Sequence, residues 1–282
     1  MTIKIVTDST CDLPKSVVEE LGITVVPLFI NIGDKGYLDG VDISRKDFYT
    51  DLPDYTTHPT TATPGVDTFT QVFHELFADG ATHILSIHIS KSLSAIVEVA
   101  QTAANEFTQK PVTVRDSNQL SLGTGFQVEA AARMAIEGKP TQEILDTLDN
   151  IMSHTYVAAG LDTLEYLRRS GRMNIFMMRL GSLLQLKPIL TMKNGLPGSV
   201  QVRTTKKAEA RLIKMLEEHQ PIERFALLHT NAPEKAEAFL ALVADLIPAR
   251  EAYSSVDITP VIGAHIGPGA IGYAIISKDM TV

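Results

Sequence analysis

The chain has 282 residues, a length that fits two domains of ordinary size better than one. Its formal net charge of −8 at pH 7 argues against non-specific nucleic-acid binding, which depends on cationic side chains that neutralise phosphates. A single cysteine, Cys11, excludes an intrachain disulfide and a cysteine-ligated structural zinc. There is no apolar run near the roughly 20 residues of a membrane span and no secretion signal, so we expect a cytoplasmic protein.

Strand-like and helix-like segments alternate through the first half of the chain. The predicted strands, rich in Val, Ile and Leu, are Ile3–Asp8, Ile23–Ile32, His83–Ile89 and Val112–Arg115. The predicted helices, which have helical spacing of apolar residues, are Pro14–Leu21, Val66–Ala78, Leu93–Phe107 and Leu120–Glu137. This alternation is typical of a parallel sheet with crossover helices. The first half is therefore predicted to be an α/β domain.

A second set of elements begins near Thr155. Its predicted strands are Tyr156–Leu161, Leu186–Met192, Phe225–Thr230 and Ala270–Ser277, and its predicted helices are Thr205–His219 and Pro233–Leu246. We place the domain boundary between residues 155 and 156, which gives an N-terminal α/β domain, 1–155, and a C-terminal α/β domain, 156–282. No long flexible linker separates them, so a site in a cleft between the two domains is expected.

Three junctions carry polar side chains where a ligand could bind. Segment 90–95, SKSLSA, lies where a predicted strand gives way to a helix, so its hydroxyls and backbone N–H groups suit a carboxylate or a phosphate, or a serine simply caps the helix. In segment 60–65, TTATPG, Thr63 suits a helix cap and Pro64 the first turn, which leaves Thr61 free to bind another group. In segment 263–269, GAHIGPG, glycines frame His265 in a predicted turn. A lone histidine is more often structural, and the glycine frame shifts the balance toward contact with a ligand.

Other common sites are not indicated. The residues Asp8, Ser9 and Thr10 follow the first strand, where both ligand contacts and ordinary turns occur. The chain has no GxxxxGK[ST], GxGxxG or GxSxG motif, so a phosphate-binding loop, a dinucleotide fingerprint and a hydrolase nucleophile elbow are not predicted. The eight histidines are scattered without metal-ligand spacing. We expect no metal and no cofactor.

Seven segments, taken together and in order, resemble the DegV family of bacterial fatty-acid-binding proteins. They are DSTCDLP at 8–14, TTATPG at 60–65, ISKSLS at 89–94, RDSNQLSLGTG at 115–125, LEYLRRSGR at 164–172, LKPIL at 186–190 and GAHIGPGAIG at 263–272. The resemblance implies a two-domain DegV-like fold with a lipid site between or within the domains. It also implies a role in phospholipid metabolism: such a protein holds the fatty acid while a separate ATP-binding fatty acid kinase subunit phosphorylates the carboxylate to an acyl phosphate.

The resemblance also assigns roles to single residues. Thr61, Ser94 and His265 match the family's carboxylate-binding positions, and the backbone N–H of Ala95 is expected to add a donor. Arg172 and Arg203 resemble two family arginines associated with presenting the carboxylate to the kinase. Contacts with the acyl tail are expected from an apolar group whose members are equally typical of core packing, namely Ile96, Phe176, Met177 and Leu184.

Two other functions remain open from the sequence. The preferred hypothesis is a lipid carrier that has no turnover without its kinase, and is therefore not an enzyme by itself. The first alternative is an independent hydrolase or phosphotransferase that uses Ser94 and His265, and it requires a base within hydrogen-bond reach of the serine. The second is a sensor whose ligand controls the binding of another protein, which would use the same pocket.

Overall fold

The computed structural model describes residues 2–176, 187–248 and 253–278. The strands of this part of the chain are β1 (Ile3–Asp8), β2 (Thr24–Val26), β3 (Phe29–Ile32), β4 (Lys35–Leu38), β5 (Thr60–Ala62), β6 (His83–His88), β7 (Val112–Asp116), β8 (Thr155–Gly160), β9 (Lys187–Lys193), β10 (Leu196–Val202), β11 (Ile222–His229), β12 (Tyr253–Asp257) and β13 (Ile271–Ser277). They form three sheets.

Eleven α-helices lie in the same described ranges. They are α1 (Lys15–Glu20), α2 (Arg45–Asp51), α3 (Val66–Ala78), α4 (Ile96–Ala104), α5 (Leu122–Ile136), α6 (Thr141–His154), α7 (Glu165–Arg169), α8 (Met173–Phe176), α9 (Thr205–Glu217), α10 (Pro233–Val243) and α11 (Pro260–Ile266). No helix among these is both long enough and apolar enough to span a membrane.

The first sheet is parallel, with strand order β2-β1-β6-β7. Neighbouring residues of a strand point to opposite faces of the sheet, and helices cover both faces here. In β1, Val6 packs with the phenylalanines of α3 and the small residues of α4, whereas Ile5 packs on the other face with α5. The apolar runs in these strands therefore reflect burial on both sides.

The second sheet has six strands in the order β10-β9-β8-β13-β11-β12, and only β11 and β12 pair in parallel. One face is covered by α9 and α10. The opposite face contacts α5, which also contacts the parallel sheet. As a result, one buried cluster holds residues of both halves, such as Phe126 of α5 and Ala274 of β13. The halves are thus joined by a common core.

A small antiparallel sheet, β4-β3-β5, lies beside α11. The sequence missed this sheet because the apolar run 23–32 reads as one strand. In the structure the run is divided at Pro27 and Leu28, so that β2 joins the parallel sheet and β3 joins the small one. Proline has no backbone N–H to donate to a ladder, which suits a break between two strands.

The predicted mixed α/β fold with a parallel sheet is confirmed, and the two-domain layout is consistent with the structure. All strands of the parallel sheet precede residue 155, and all strands of the six-stranded sheet follow residue 154. The division between residues 155 and 156 stays a prediction. The turn predicted over 263–269 is wrong in its first half, because residues 260–266 form α11 and only the GPG segment after it turns.

Candidate functional site

A cavity of about 340 Å³ lies between the two halves of the chain. Its wall is mostly apolar, and a few polar side chains interrupt it. The residues that line it are Thr10, Leu28, Thr61, Ala62, Thr63, Ile89, Leu93, Ser94, Ala95, Leu120, Leu167, Arg172, Phe176, Val261, Ile262, His265 and Ile266. Ligand sites in proteins commonly combine such an apolar wall with a small number of placed polar groups.

Two of the predicted polar residues are hydrogen-bonded to each other across the cavity wall. Thr61 is the middle residue of β5, and His265 lies in the last turn of α11. The Thr61 hydroxyl and Nε2 of His265 are 3.0 Å apart. Nδ1 of the same ring is buried and has no hydrogen-bond partner among the described residues. Buried polar atoms are nearly always paired, and this nitrogen is one of the exceptions among the described residues.

Burial and nearby positive charge hold the His265 side chain in its neutral form. Its pKa is lowered to about 3, first by burial, then by the positive charge of Arg172 and by His58. A neutral imidazole carries one N–H and one lone pair, so the ring can donate one hydrogen bond and accept one. One of the two is used with Thr61.

The serine turn lies at the same cavity. Ser94 lines it, and its hydroxyl oxygen accepts a weak hydrogen bond from the backbone N–H of Ile96, at 3.4 Å. Ala95, which also lines the cavity, is the N-cap residue of α4, and its methyl side chain makes no capping hydrogen bond. The Thr63 cap expected for α3 is also absent, because Gly65 occupies the N-cap position. Neither Thr61 nor Ser94 is therefore the N-cap residue of the helix that follows it.

Arg172 and Phe176 join the site from the second half of the chain. Arg172 is half-buried, lines the cavity and donates a hydrogen bond from Nη1 to the carbonyl of Ser170, at 3.2 Å. Phe176, at the end of α8, also lines the cavity. The cation is thus near the Thr61–His265 pair, as its effect on the histidine shows.

The structure does not bring every predicted residue to the cavity. Ile96 is fully buried, packs in the core between the parallel sheet and its helices, and does not line the cavity, so the tail contact expected of it stays a prediction. Arg203 is exposed just after β10 and is not among the residues of the cavity wall. Met177 and Leu184 lie outside the described residues.

Several wall residues were not assigned from the sequence, which for Thr10 allows either a ligand contact or an ordinary turn. Thr10 follows β1 at the carboxyl edge of the parallel sheet, where ligands often bind. Its hydroxyl, however, donates to the fully buried carboxylate of Asp8, which also accepts hydrogen bonds from His88 and from the backbone of Ile89. Thr10 is therefore occupied, and Asp8 anchors the end of β6 that leads to the serine turn.

A buried polar network fixes the start of α11. The Asp12 carboxylate accepts a hydrogen bond from the backbone N–H of Thr259, at 2.8 Å, and forms an ion pair with Arg45, at 3.1 Å. Burial raises the pKa of Asp12 to about 6, although Arg45 opposes the shift. In addition, the Tyr49 hydroxyl donates to the carbonyl of Ile258, at 2.9 Å. These bonds position the helix that carries His265.

The geometry offers little to a self-sufficient hydrolase. The partner of Nε2 of His265 is Thr61, and the described residues show no hydrogen bond between Ser94 and this ring. No carboxylate orients the histidine either, since its other nitrogen is unpaired within the described chain. The base and its orienting acid that a serine nucleophile needs are therefore missing from this arrangement.

The fold and the site define a class: two-part α/β proteins with a mostly apolar cavity between the parts. The family model whose description reads "Uncharacterised protein, DegV family" matches residues 2–278. A DegV domain-containing protein of Listeria innocua is 35% identical over 274 residues, which is 96% of each chain. A DegV domain-containing protein of Streptomyces coelicolor is 34% identical over 281 residues, 98% of this chain and 99% of its own. The chain belongs to the DegV family.

Solved structures agree with this assignment. A fatty-acid-binding DegV family protein from Thermus thermophilus is 33% identical and superposes with a TM-score of 0.89, covering 99% of this chain and all 100% of that one. DegV from Bacillus subtilis, described as a fatty acid binding protein, is 28% identical with a TM-score of 0.89 and the same coverage. A stearic acid-binding protein from Eubacterium ventriosum is 25% identical, has a TM-score of 0.86 and covers 99% of this chain and 100% of its own.

Proposed function

We propose that this chain binds one long-chain fatty acid in the cavity between its halves, with the carboxylate held by Thr61, Ser94, His265 and the backbone of Ala95. The observation that carries the proposal is the wall itself, which is apolar apart from a few polar groups that include the hydrogen-bonded pair of Thr61 and His265. Solved relatives that span the whole chain are described as fatty acid binding proteins, which supports the same ligand class.

The two ends of a fatty acid match the two kinds of surface in the cavity. Each methylene that leaves water contributes about 0.8 kcal/mol, so a sixteen-carbon tail supplies roughly 12 kcal/mol before ordering costs. The head group adds orientation more than affinity, because its hydrogen bonds to the protein replace hydrogen bonds to water. Tail burial therefore drives binding, and the polar residues decide which end of the molecule lies beside α11.

The same proposal gives the chain a place in phospholipid metabolism. Bound fatty acid is presented in the cytoplasm to a separate ATP-binding kinase subunit, which phosphorylates the carboxylate, while the chain alone does not turn over substrate. Arg172 supports this, because it lies at the cavity close enough to affect His265 and its cation suits a developing acyl phosphate. For Arg203, the support is its resemblance to a family arginine and its exposure beside α9.

Native mass spectrometry of the purified protein tests the ligand. We expect one long-chain fatty acid per chain, released on denaturation, or one acid taken up after palmitate is added. Ser94→Ala and His265→Ala are expected to retain less ligand. Ser92→Ala is the matched control, because Ser92 belongs to the same turn but does not line the cavity. An empty protein that refuses palmitate, oleate and stearate would contradict the proposal.

The kinase step is tested separately with Arg172→Gln. This variant is expected to hold its fatty acid but to yield less acyl phosphate with the kinase subunit and ATP. Arg168→Gln is the control, since Arg168 is exposed, pairs with Glu165 and lies outside the cavity wall. Equal acyl phosphate formation by both variants would remove Arg172 from the presentation role.

A further inference from the structure

A largely buried loop contacts both segments of the chain that carry the proposed head-group residues. Residues 117–121 follow β7 and lead into α5, and Leu120 of this loop lines the cavity. The backbone carbonyl of Gln119 accepts a hydrogen bond, at 2.8 Å, from the N–H of Ser90 at the start of the serine turn. On its other side the loop reaches α11 through the side chain of Ser121. The loop therefore helps to set the distance between the serine turn and α11.

The Ser121 hydroxyl is connected to α11 by two hydrogen bonds. It donates to Oδ2 of Asp12, at 2.6 Å, and Oδ1 of the same carboxylate accepts from the backbone N–H of Thr259, at 2.8 Å. Thr259 is the N-cap residue of α11, and His265 lies in the last turn of that helix. Ser121 and Asp12 are each only 1% exposed, so both bonds are shielded from water. The hydroxyl therefore helps to fix the beginning of the helix that carries the histidine.

Helix capping does not account for a serine at position 121. Ser121 occupies the N-cap position of α5, where a serine hydroxyl ordinarily accepts a hydrogen bond from a backbone N–H of the first turn. Here the side chain makes no such bond and donates to Asp12 instead. The backbone has φ of 51° and ψ of −139°, a conformation that suits glycine and strains a residue with a Cβ. The contact with Asp12 is thus what this serine offers over glycine.

Asp12, the partner of Ser121, is held in a strained conformation as well. Its backbone is left-handed, with φ of 55° and ψ of 15°, and its carboxylate also forms the ion pair with Arg45. Two residues with positive φ, 109 positions apart, are therefore bonded to each other through their side chains. Strained backbone persists only where the surrounding contacts determine it, and it is concentrated at functional sites.

A displacement of α11 would affect the two ends of a fatty acid unequally. Hydrogen bonds weaken steeply with distance and angle, so a carboxylate held by Thr61 and His265 requires α11 to be in its place. The contacts of Val261 and Ile262 with an acyl tail are non-directional and tolerate a small shift. A change at Ser121 is therefore expected to weaken binding of the head group much more than binding of the tail.

We infer that Ser121 is a positioning residue for the head-group site: through Asp12 it fixes α11, and hence His265, relative to the serine turn, and so sets the preference of the cavity for a carboxylate. The inference rests on the proposed fatty acid function and deepens it, because it names a residue outside the cavity wall that controls which head group binds.

The affinities of Ser121→Gly for decanoate and for 1-decanol, which have chains of equal length, test the inference. The substitution removes the hydroxyl and relieves the backbone conformation, so the variant is expected to stay folded, which urea denaturation checks. Displacement of a fluorescent fatty acid measures both Kd values. We expect the Kd of decanoate to rise about five- to tenfold and the Kd of 1-decanol to change by less than about twofold. Ser121→Ala, which keeps the strain, is expected to lose the same decanoate affinity and to unfold at a lower urea concentration than Ser121→Gly.

Asn118→Gly is the matched control. Asn118 lies in the same loop and also has positive φ, 53°, but the described residues show no hydrogen bond between its side chain and Asp12. Its ratio of decanoate to 1-decanol affinity is expected to equal that of the wild-type chain. Undiminished decanoate affinity in Ser121→Gly would overturn the inference. Equal losses for both ligands, or the same loss of preference in Asn118→Gly, would also overturn it.

The failure of the inference and the failure of the proposed function give different results. If the wild-type chain binds decanoate and Ser121→Gly binds it equally well, the inference is overturned and the fatty acid function stands. If the wild-type chain binds neither decanoate nor palmitate, the proposed function falls and the inference falls with it.

Discussion

Replacing Gly263 by Ala should displace the helix that carries His265. A Cβ at this position would lie 2.7 Å from Cζ and 2.8 Å from Cε1 of Tyr49, and closer still to its hydroxyl oxygen. Tyr49 is only 2% exposed and is bonded to the carbonyl of Ile258, so it has little room to move. Restoring ordinary contact, near 3.5–4.0 Å, requires a shift of roughly 1 Å.

A shift of that size has two expected consequences. Overpacking a core costs about 1–3 kcal/mol, partly offset by up to about 1 kcal/mol because Ala is the better helix former, so we expect a net loss of about 1–2 kcal/mol. The Thr61–His265 distance of 3.0 Å would also pass beyond hydrogen-bond range. Loss of that geometry is expected to weaken fatty acid binding about tenfold.

Urea denaturation and fatty acid titration measure the two effects. Gly65→Ala is the matched control, because nothing lies within 4 Å of its added Cβ and its backbone is extended. In a double-mutant cycle, adding Tyr49→Phe to Gly263→Ala is expected to recover part of the loss, since the closest atom is removed. Unchanged stability and affinity in Gly263→Ala would refute the packing argument, and so would strict additivity of the two substitutions.

Two further predictions use other parts of the site. Thr61→Val keeps the side-chain volume but loses the bond to His265, so fatty acid affinity measured by displacement is expected to fall about 5- to 10-fold. The control is Thr60→Val, because Thr60 is an exposed neighbour outside the cavity wall. Equal affinities of the two variants would contradict the role of Thr61. Burial raises the pKa of Asp12 from 3.8 to about 6, so the folded state binds the proton more tightly and loses stability as pH rises through that interval, by about 1–3 kcal/mol. Asp12→Asn should lack this component in urea denaturation at pH 4.5 and 6.5, and the same pH dependence in both proteins would rule it out.

The parallel sheet could be predicted because burial on both faces produces apolar strands that alternate with amphipathic helices. The prediction failed where the apolar pattern does not show which sheet a strand joins. The run 23–32 is largely apolar, and apart from Pro27 nothing in its composition shows that the chain leaves one sheet and enters another. Helix α11 was missed for a different reason, since its glycine is a poor helix former whose place is decided by the close approach of Tyr49.

The site was only partly predictable from the residues themselves. Strand-to-helix junctions marked Thr61 and Ser94 as candidates, but the contact of Thr61 with His265, 204 positions further along the chain, follows from tertiary packing and was anticipated only through the family resemblance. Apolar residues were the hardest to assign. Ile96 and Phe176 are both apolar residues for which the sequence allows either a core or a ligand contact. In the structure, Ile96 is buried in the core and Phe176 lines the cavity.

A crystal structure of the protein with palmitate tests the central claim most directly. We expect one palmitate in the cavity between the halves, with a carboxyl oxygen within about 3.2 Å of the Thr61 hydroxyl and of a ring nitrogen of His265. Palmitate in the reverse orientation would contradict it. So would palmitate bound instead in the cavity of about 200 Å³ that Lys187 and Lys235 border.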